Sequence, residues 1–499
     1  MIRSAGRVSR RRRFVKLFFQ GIVGGGAAMA FPGMFQRARN AGIDGNGSAP
    51  KRVQPNIILV VVDDQRLQAL EIMPTVRSQL AARGITFPNS FCASPVCAPS
   101  RASILTGQYV HNHGEDTNAA RQFVNKRDKR DTIATMVRAG GYKTVFLGKY
   151  SHGYNMARDV PPGWDEWQAF LGGAPGYYDY RMSDNGRAVA YGDRPADYST
   201  DVLAQKACRF IRDHRNSSQP FFMYVAPCAP HAPGTPAPRH LHRLDHLDFP
   251  VPAVEEDIRD KPQWVHDYRR LNSGNRKAAA PGRKVGAIRR GWAALLAVDE
   301  MIAGIRAALE ETGKIQDTYI FYLADNGDDF SPHVNASGKL LPYEEGIRTP
   351  IIVRGPGVEA GGRRDHLVST VDLLPTIASL AGVPVPGFAD GRDLAPLFSC
   401  RPLPLSKWRK ACLVELGKVT RWYRQSPPPP YKLLRTMDSK YIEYGTGERE
   451  FYDLRRDPGE LVNTYEKLAA GQQNGLHSWL QRLQAAAGEK CREAEEDGL

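Results

Sequence analysis

The stretch Asn56-Ile57-Ile58-Leu59-Val60-Val61-Val62-Asp63-Asp64 decides the fold. Its apolar part shows no polar alternation, and a continuous β-branched run of this kind reads as a strand covered on both faces. Two carboxylates end it. Similar short runs recur at Thr144-Val145-Phe146-Leu147, Phe221-Phe222-Met223-Tyr224-Val225, Tyr319-Ile320-Phe321-Tyr322-Leu323 and Ile351-Ile352-Val353. Helical patterns lie between them. Asp131 to Ala139 opens on a capping residue and stops at Gly140-Gly141, while Ile288, Trp292, Leu295, Ile302, Ile305 and Leu309 space out one long amphipathic helix. Strands alternating with helices predict an α/β fold, a largely parallel sheet sandwiched by helices. Such sheets place ligands at the carboxyl ends of their strands. Polar residues follow several of these runs: Asp63-Asp64, Lys149, His231 and Asp325-Asn326 are therefore expected to converge on one site.

The chain of 499 residues, 42% hydrophobic, is long enough for a large core and two domains. Its formal charge is +15, but seven basic residues and no acid stand in the first 30, which leaves a mild +8 on the rest. That balance suits anionic small molecules or polyanions. No zinc-finger, RRM-like or basic-zipper pattern is present, so nucleic acid is not an expected partner. Seven cysteines are too sparse for a disulfide scaffold, and Cys92 and Cys97 lack a second pair that would complete a zinc site. Residues 227–238 and Pro427 to Pro430 read as rigid proline-rich loops, and Arg269 to Arg290 as a solvated basic insertion. Beyond residue 400, Lys432-Leu433-Leu434-Arg435 and Lys440-Tyr441-Ile442-Glu443-Tyr444 alternate like antiparallel strands, and Gly475 to Ala487 reads as a final helix.

At the N-terminus, Arg11-Arg12-Arg13-Phe14-Val15-Lys16 precedes a weakly apolar, glycine-rich stretch too short to span a bilayer. This resembles a bacterial twin-arginine signal, with Ala28-Met29-Ala30 as a small-x-small cleavage site. The expected organisation is a signal over 1–30, a linker over 31–53, a catalytic domain over 54–399 and a smaller α+β subdomain over 400–499. The resemblance implies the twin-arginine export machinery as a partner, a periplasmic or secreted location and no stable membrane insertion.

The chemically informative segment is Cys97-Ala98-Pro99-Ser100-Arg101-Ala102-Ser103-Ile104-Leu105-Thr106-Gly107. With each residue type at roughly 5%, its Cys, Pro, Ser and Arg would match by chance about 0.003 times in such a chain, too rarely to be set aside. Pro99 suits a first helical turn, which would place backbone N–H groups and Arg101 near the residue-97 side chain and favour an anion there. The segment resembles the signature of the formylglycine-dependent sulfatases, in which a separate maturation enzyme oxidises this cysteine to formylglycine (3-oxoalanine). Asp63-Asp64 and Asp325-Asn326-Gly327 stand in the order of that family's calcium ligands. Hard oxygen donors suit Ca²⁺ or Mg²⁺. Gly148-Lys149-Tyr150, Pro230-His231-Ala232-Pro233 and Gly338-Lys339 resemble the family's lysine, histidine and second-lysine segments. Asp328 and Asp329 match no family role and read as solvated loop acids.

One departure falls after the first lysine, where many arylsulfatases have histidine two residues on and this chain has Ser151. The segment Lys149-Tyr150-Ser151-His152-Gly153 is closer to the branch of N-acetylglucosamine-6-sulfatases and heparan sulfatases, with His152 in place of an expected asparagine as a substrate contact. Pro161-Pro162-Gly163-Trp164-Asp165 and Asp197-Tyr198-Ser199-Thr200-Asp201 also look like that branch. The resemblance, over residues 54–465, implies an alkaline-phosphatase-like mixed central β-sheet, with a small C-terminal domain. It further implies hydrolysis of a sulfated glycan, hexosamine or aryl sulfate in two steps. A hydroxyl of the hydrated formylglycine at position 97, assisted by Asp325, attacks sulfur, while Ca²⁺, Arg101, Lys149 and Lys339 stabilise the sulfuryl oxygens and His231 or Lys339 protonates the departing alcohol. The alternative within the same chemistry is a formylglycine-dependent phosphonate monoester hydrolase or phosphodiesterase.

Overall fold

The computed structural model describes residues 54–118, 132–173, 176–249, 257–273, 281–328, 333, 339–418 and 427–498. Residues 1–30 and 31–53, expected to be a twin-arginine signal and a linker, lie outside these residues. The run read first is a strand, β1 (Asn56–Val62), buried at every position. Nine more strands join it: β2 (Ile85–Phe87), β3 (Lys143–Gly148), β4 (Glu166–Phe170), β5 (Arg181–Asp184), β6 (Arg187–Ala190), β7 (Phe221–Ala226), β8 (Thr318–Ala324), β9 (Ile351–Arg354) and β10 (Gly362–Arg363). The sheet order is β10-β2-β9-β8-β1-β7-β3-β4-β5-β6. Its centre, β8-β1-β7-β3-β4, is parallel, and antiparallel strands extend both sides, so the sheet is mixed.

Alternate residues of β1 serve two cores, which is why the run could not afford a polar face. Ile58, Val60 and Val62 pack with Leu203 of helix α3 (Ser199–Asp213) and with Val298, Ile302 and Ile305 of α5 (Pro281–Glu311). Ile57, Leu59 and Val61 pack on the other face with Ile104 of α1 (Cys97–Thr106), Ile133 of α2 (Ile133–Ala139) and Ile377 of α6 (Leu373–Ala381). Each such buried aliphatic side chain contributes roughly 1.5–3 kcal/mol.

Three sequence expectations are corrected. Helix α2 starts after Thr132, whose hydroxyl accepts from the Thr135 backbone N–H, rather than at Asp131, which lies outside the described residues. The basic stretch Arg269–Arg290 is not a plain loop: α4 (Gln263–Ser273) covers its beginning and α5, starting at Pro281, its end. Arg269, Arg270, Arg283, Arg289 and Arg290 sit on these two helices, whose apolar stripes are diluted by charge. The last helix also divides, into α7 (Ala470–Gln484) and α8 (Glu489–Asp497), because Gly488 takes a positive φ of 59° between them.

A second, four-stranded antiparallel sheet forms the small C-terminal domain, from β11 (Ala411–Leu416), β12 (Tyr431–Thr436), β13 (Ser439–Tyr444) and β14 (Arg449–Asp453). Helix α8 is tied by a buried charge cluster. Glu495 receives Tyr109 Oη and pairs with Arg409 (3.1 Å) and Arg392 (3.0 Å), and Arg409 also meets Asp372. Tyr109 lies three residues beyond α1, so the chain's last helix braces the exit of the helix that begins at Cys97. Removing one member leaves buried charge without its counterion. Glu495→Ala is therefore expected to cost about 3 kcal/mol of folding stability, read as a lower urea midpoint at unchanged slope. Among the described residues, no helix is long and apolar enough to cross a membrane.

Candidate active site

Four neighbouring strands, β8, β1, β7 and β3, deliver their carboxyl ends to one place. Asp325-Asn326 follow β8, Asp63-Asp64 follow β1, His231 lies five residues past β7, and Lys149 follows β3. Two glycines permit this convergence. Gly148 holds φ at +108°, and a Cβ there would meet Ala226 O at 2.1 Å, so the backbone can pass close to β7 before Lys149 turns inward. A Cβ at Gly327 would meet Glu345 O at 2.1 Å, which explains the glycine after Asp325-Asn326. Asp64 itself takes φ +65°, a left-handed conformation that aspartate tolerates better than most residues.

Cys97 is the first residue of α1, and positions three and four further on return to its face of the helix. Both grip Asp325: Ser100 Oγ donates to its carbonyl oxygen (2.5 Å) and Arg101 Nε to its carboxylate Oδ2 (2.8 Å). Arg101 also donates from Nη1 to Lys149 O (2.9 Å) and stands 3.8 Å from Asp63 Oδ1. The Cys97 Sγ lies 3.4 Å from Asp63 Oδ1 and 3.9 Å from Asp64 Oδ1. Lys339 Nζ reaches both Cys97 Sγ (2.7 Å) and Asp64 Oδ1 (2.9 Å), and Lys149 Nζ pairs with Asp63 Oδ2 (2.5 Å). His231 donates from Nδ1 to Ala232 O (2.7 Å) and directs Nε2 toward Asp64 Oδ2 (3.6 Å). All of the candidate residues Cys97, Arg101, Lys149, His231, Lys339, Asp63, Asp64, Asp325 and Asn326 thus gather in one network.

Burial dominates the electrostatics. It raises the Cys97 thiol, reinforced by Asp63, so the encoded cysteine is held as a neutral thiol. It pushes Asp325 up to about 6, against the pull of Arg101. Asp63 goes the other way: burial alone would raise it, but Lys149, His231, Arg101 and Lys339 hold it well below the usual carboxylate range. Burial pulls Lys149 down, but Asp63 together with its other acidic neighbour raises it above the ordinary lysine range. Burial, then Lys339, lowers His231. His152 is brought into the field of the same group: burial, Lys149 and Lys339 push it down to about 4.

The donor set fits a divalent cation. Oxygens of Asp63, Asp64 and Asp325 lie within 4.8 Å of one another, all in buried residues, and the buried Asn326 Oδ1 has no hydrogen-bond partner. An all-oxygen cluster of three carboxylates and an orphaned amide oxygen is what Ca²⁺ or Mg²⁺ takes. Burying three carboxylates this close without a counter-charge beyond the lysines and Arg101 would be costly.

A cavity of about 260 Å³ opens beside this network. Asp64, His231 and Lys339 form its polar end, while Tyr268, Ile288, Trp292 and Pro427 supply apolar walls. Sequence reasoning missed several of its residues. Asp328, read as a solvated loop acid, lines the cavity, and so does part of the stretch read as a charged insertion, through Ala287 and Ile288. Trp292, on the apolar face of α5, lines it as well. Arg66, two residues beyond Asp64, also lines it, and its place after a strand end was the one available signal.

Residues 55–383 match the family model described as Sulfatase, and residues 337–486 match the one described as N-sulphoglucosamine sulphohydrolase, C-terminal. The chain belongs to the sulfatase family and is an enzyme of that class. It is 30% identical over 488 residues to the human N-acetylglucosamine-6-sulfatase, covering 89% of this chain and 87% of that protein. It is 31% identical over 383 residues to the putative extracellular sulfatase Sulf-1 homolog of Caenorhabditis elegans, where 74% of this chain spans only 53%, about half, of the relative's length. Among solved structures, BT4656 in complex with its substrate D-glucosamine-2-N,6-O-disulfate superposes with a TM-score of 0.76 at 25% identity, covering 89% of this chain and 99% of that one. These likenesses agree with an alkaline-phosphatase-like architecture carrying a small C-terminal sheet domain.

Proposed function

We propose that the protein removes sulfate from sulfated hexosamine units of glycans, with formylglycine made from Cys97 by a maturation enzyme and Ca²⁺ held by Asp63, Asp64, Asp325, Asn326 and residue 97. The observation that carries the reading is the placement of Cys97 at a helix start, 3.4–3.9 Å from Asp63 and Asp64 and 2.7 Å from Lys339, beside a cavity of single-sugar size. The relatives named N-acetylglucosamine-6-sulfatase support the hexosamine. The catalytic domain is read as 54–399 and the C-terminal subdomain as 400–499. Export by the twin-arginine machinery to the periplasm or beyond is part of the proposal; it suits a protein whose Cys97 is modified before leaving the cytoplasm.

The two groups supply a hydrated aldehyde as nucleophile and a Lewis acid that draws charge from the sulfuryl oxygens. The chain's own residues do the rest. Asp325, fixed by Ser100 and Arg101, takes the proton from the attacking hydroxyl at position 97. Lys149 and Lys339, each on an acidic partner beside residue 97, offer N–H donors to the sulfuryl oxygens, as does Arg101 through its buried Nη2. The ester oxygen departs into the cavity, where His231 and Lys339 are the proton carriers. His152, within the field of Lys149 and Lys339, contacts the substrate from the side.

The test is a comparison of kcat/KM on 6-sulfated N-acetylglucosamine, an aryl sulfate and a phosphonate monoester, using enzyme co-produced with a maturation partner. The sulfated hexosamine is expected to lead by at least tenfold. A lead for the phosphonate monoester would overturn the reading in favour of the phosphonate hydrolases that share this nucleophile.

A further inference from the structure

The sulfuryl chemistry leaves one cavity-lining cation unused. Arg66 stands two residues beyond Asp64 at the carboxyl end of β1 and borders the same cavity as Asp64, His231 and Lys339. Its Nη2 pairs with Glu345 Oε1 at 2.5 Å, and its side chain is only 11% exposed. The pair rests on a braced element. Glu345 belongs to the short helix Glu344–Ile347, whose carbonyl at 345 packs against Gly327 and whose Glu344 is gripped by Arg435 (2.7 Å) and Lys440 (3.2 Å) of the C-terminal sheet. The guanidinium is therefore placed by a chain of contacts running from β12 and β13 to the cavity wall.

The other cations of the site have defined work close to residue 97. Lys149 and Arg101 are fully buried on Asp63 and Asp325, and Lys339 touches Cys97 itself. Arg66, paired with Glu345, lines the cavity that a substrate's substituents would fill. A guanidinium is charged at every working pH and offers a planar fork of donors, matched to the paired oxygens of a sulfate or carboxylate. With Glu345 fixing one edge, the side chain reaches a bound sugar without the entropy loss of a free arginine.

We propose that Arg66 is a specificity-determining residue that selects substrates carrying a second anionic group, an N-sulfate or a neighbouring carboxylate, next to the sulfate that is cleaved. Glu345 is its positioning residue. The inference rests on the sulfated-hexosamine reading and deepens it.

The experiment measures affinity apart from turnover. In a Cys97→Ala background, calorimetry gives Kd for three probes: glucosamine 2-N,6-O-disulfate, N-acetylglucosamine 6-O-sulfate, and the latter joined to a hexuronate. Arg66→Ala is expected to weaken the probes bearing a second anion at least tenfold more than the N-acetyl monosulfate, and Arg66→Lys to restore part of that preference. The N-sulfate and uronate arms tell which anion the fork takes. Glu345→Gln, which weakens the hold on the arginine while keeping the side chain's shape, is expected to reduce that preference by clearly less than Arg66→Ala does. A purely structural tie would make Arg66→Ala and Glu345→Gln behave alike on every probe, and that result, or an unchanged preference in Arg66→Ala, overturns the proposal. Failure of the sulfatase reading appears separately, as an unaltered, matured enzyme that binds these sugars and hydrolyses none of them.

Discussion

Cys97→Ser is expected to yield an enzyme that turns over once. Serine places a hydroxyl at the same first helical position, within reach of Asp63, Asp64 and Lys339, so the first displacement on sulfur remains available. The product is then a serine sulfate ester. Only a geminal diol keeps a second hydroxyl whose deprotonation expels sulfate and regenerates the carbonyl; serine has none, and the ester stays. Steady-state kcat is expected to fall about 10⁴-fold or more, the scale seen when a nucleophilic unit is disabled. Rapid quenching should show a burst of no more than one product per enzyme, and intact mass should show one added sulfuryl group. Sustained multiple turnover by this variant would sink the formylglycine mechanism.

Asp325→Asn is expected to strike the proposed metal site and the proposed nucleophile together. The carboxylate is one of the three that approach within 4.8 Å, and it carries the 2.8 Å pair with Arg101. Its Oδ1 also accepts the backbone N–H groups of Asp64 (3.1 Å) and Asn326 (2.9 Å), so it organises both ligand-bearing loops. Asparagine preserves the shape but removes the charge and the proton acceptor. We expect kcat/KM to drop about 10³-fold, as when a preorganised electrostatic group at the reacting centre is lost. A second readout does not depend on activity. Calcium at a hundredfold excess over Kd should stabilise the unaltered protein by about 2.7 kcal/mol through mass action, and the variant should lose most of that gain in thermal unfolding. Full activity of the unaltered enzyme after stringent chelation, or an undiminished calcium shift in Asp325→Asn, would reject the metal assignment.

Much of the candidate site is legible because it sits in short-range signals. β1 announces itself through seven buried residues in a row, and Cys97 to Gly107 through a spacing that puts residues 97, 100 and 101 on one helical face. What the chain does not spell out is who meets whom. The grip of Arg101 on Asp325 spans 224 positions and that of Lys339 on Cys97 spans 242, distances over which no local periodicity carries information. The same holds for the cavity wall. Pro427, Asp328 and Ile288 were read as rigid loop, solvated acid and helix interior, and each reading was locally sensible; only their meeting around one hollow gives them a shared surface.

Read alone, the amino-acid order settles what depends on neighbours along the chain: which segments are strands buried on both faces, where Cys97 begins a helix, and which acids, lysines and histidine stand at strand ends. The tertiary structure alone decides the rest: that β8, β1, β7 and β3 lie side by side so those ends converge, that three carboxylates come close enough to hold a cation, and that Arg66, held by Glu345, lines the cavity. The division is physical. Backbone sterics and side-chain periodicity act over a few residues, whereas desolvation and Coulomb forces act through space and have no meaning until the chain has closed on itself.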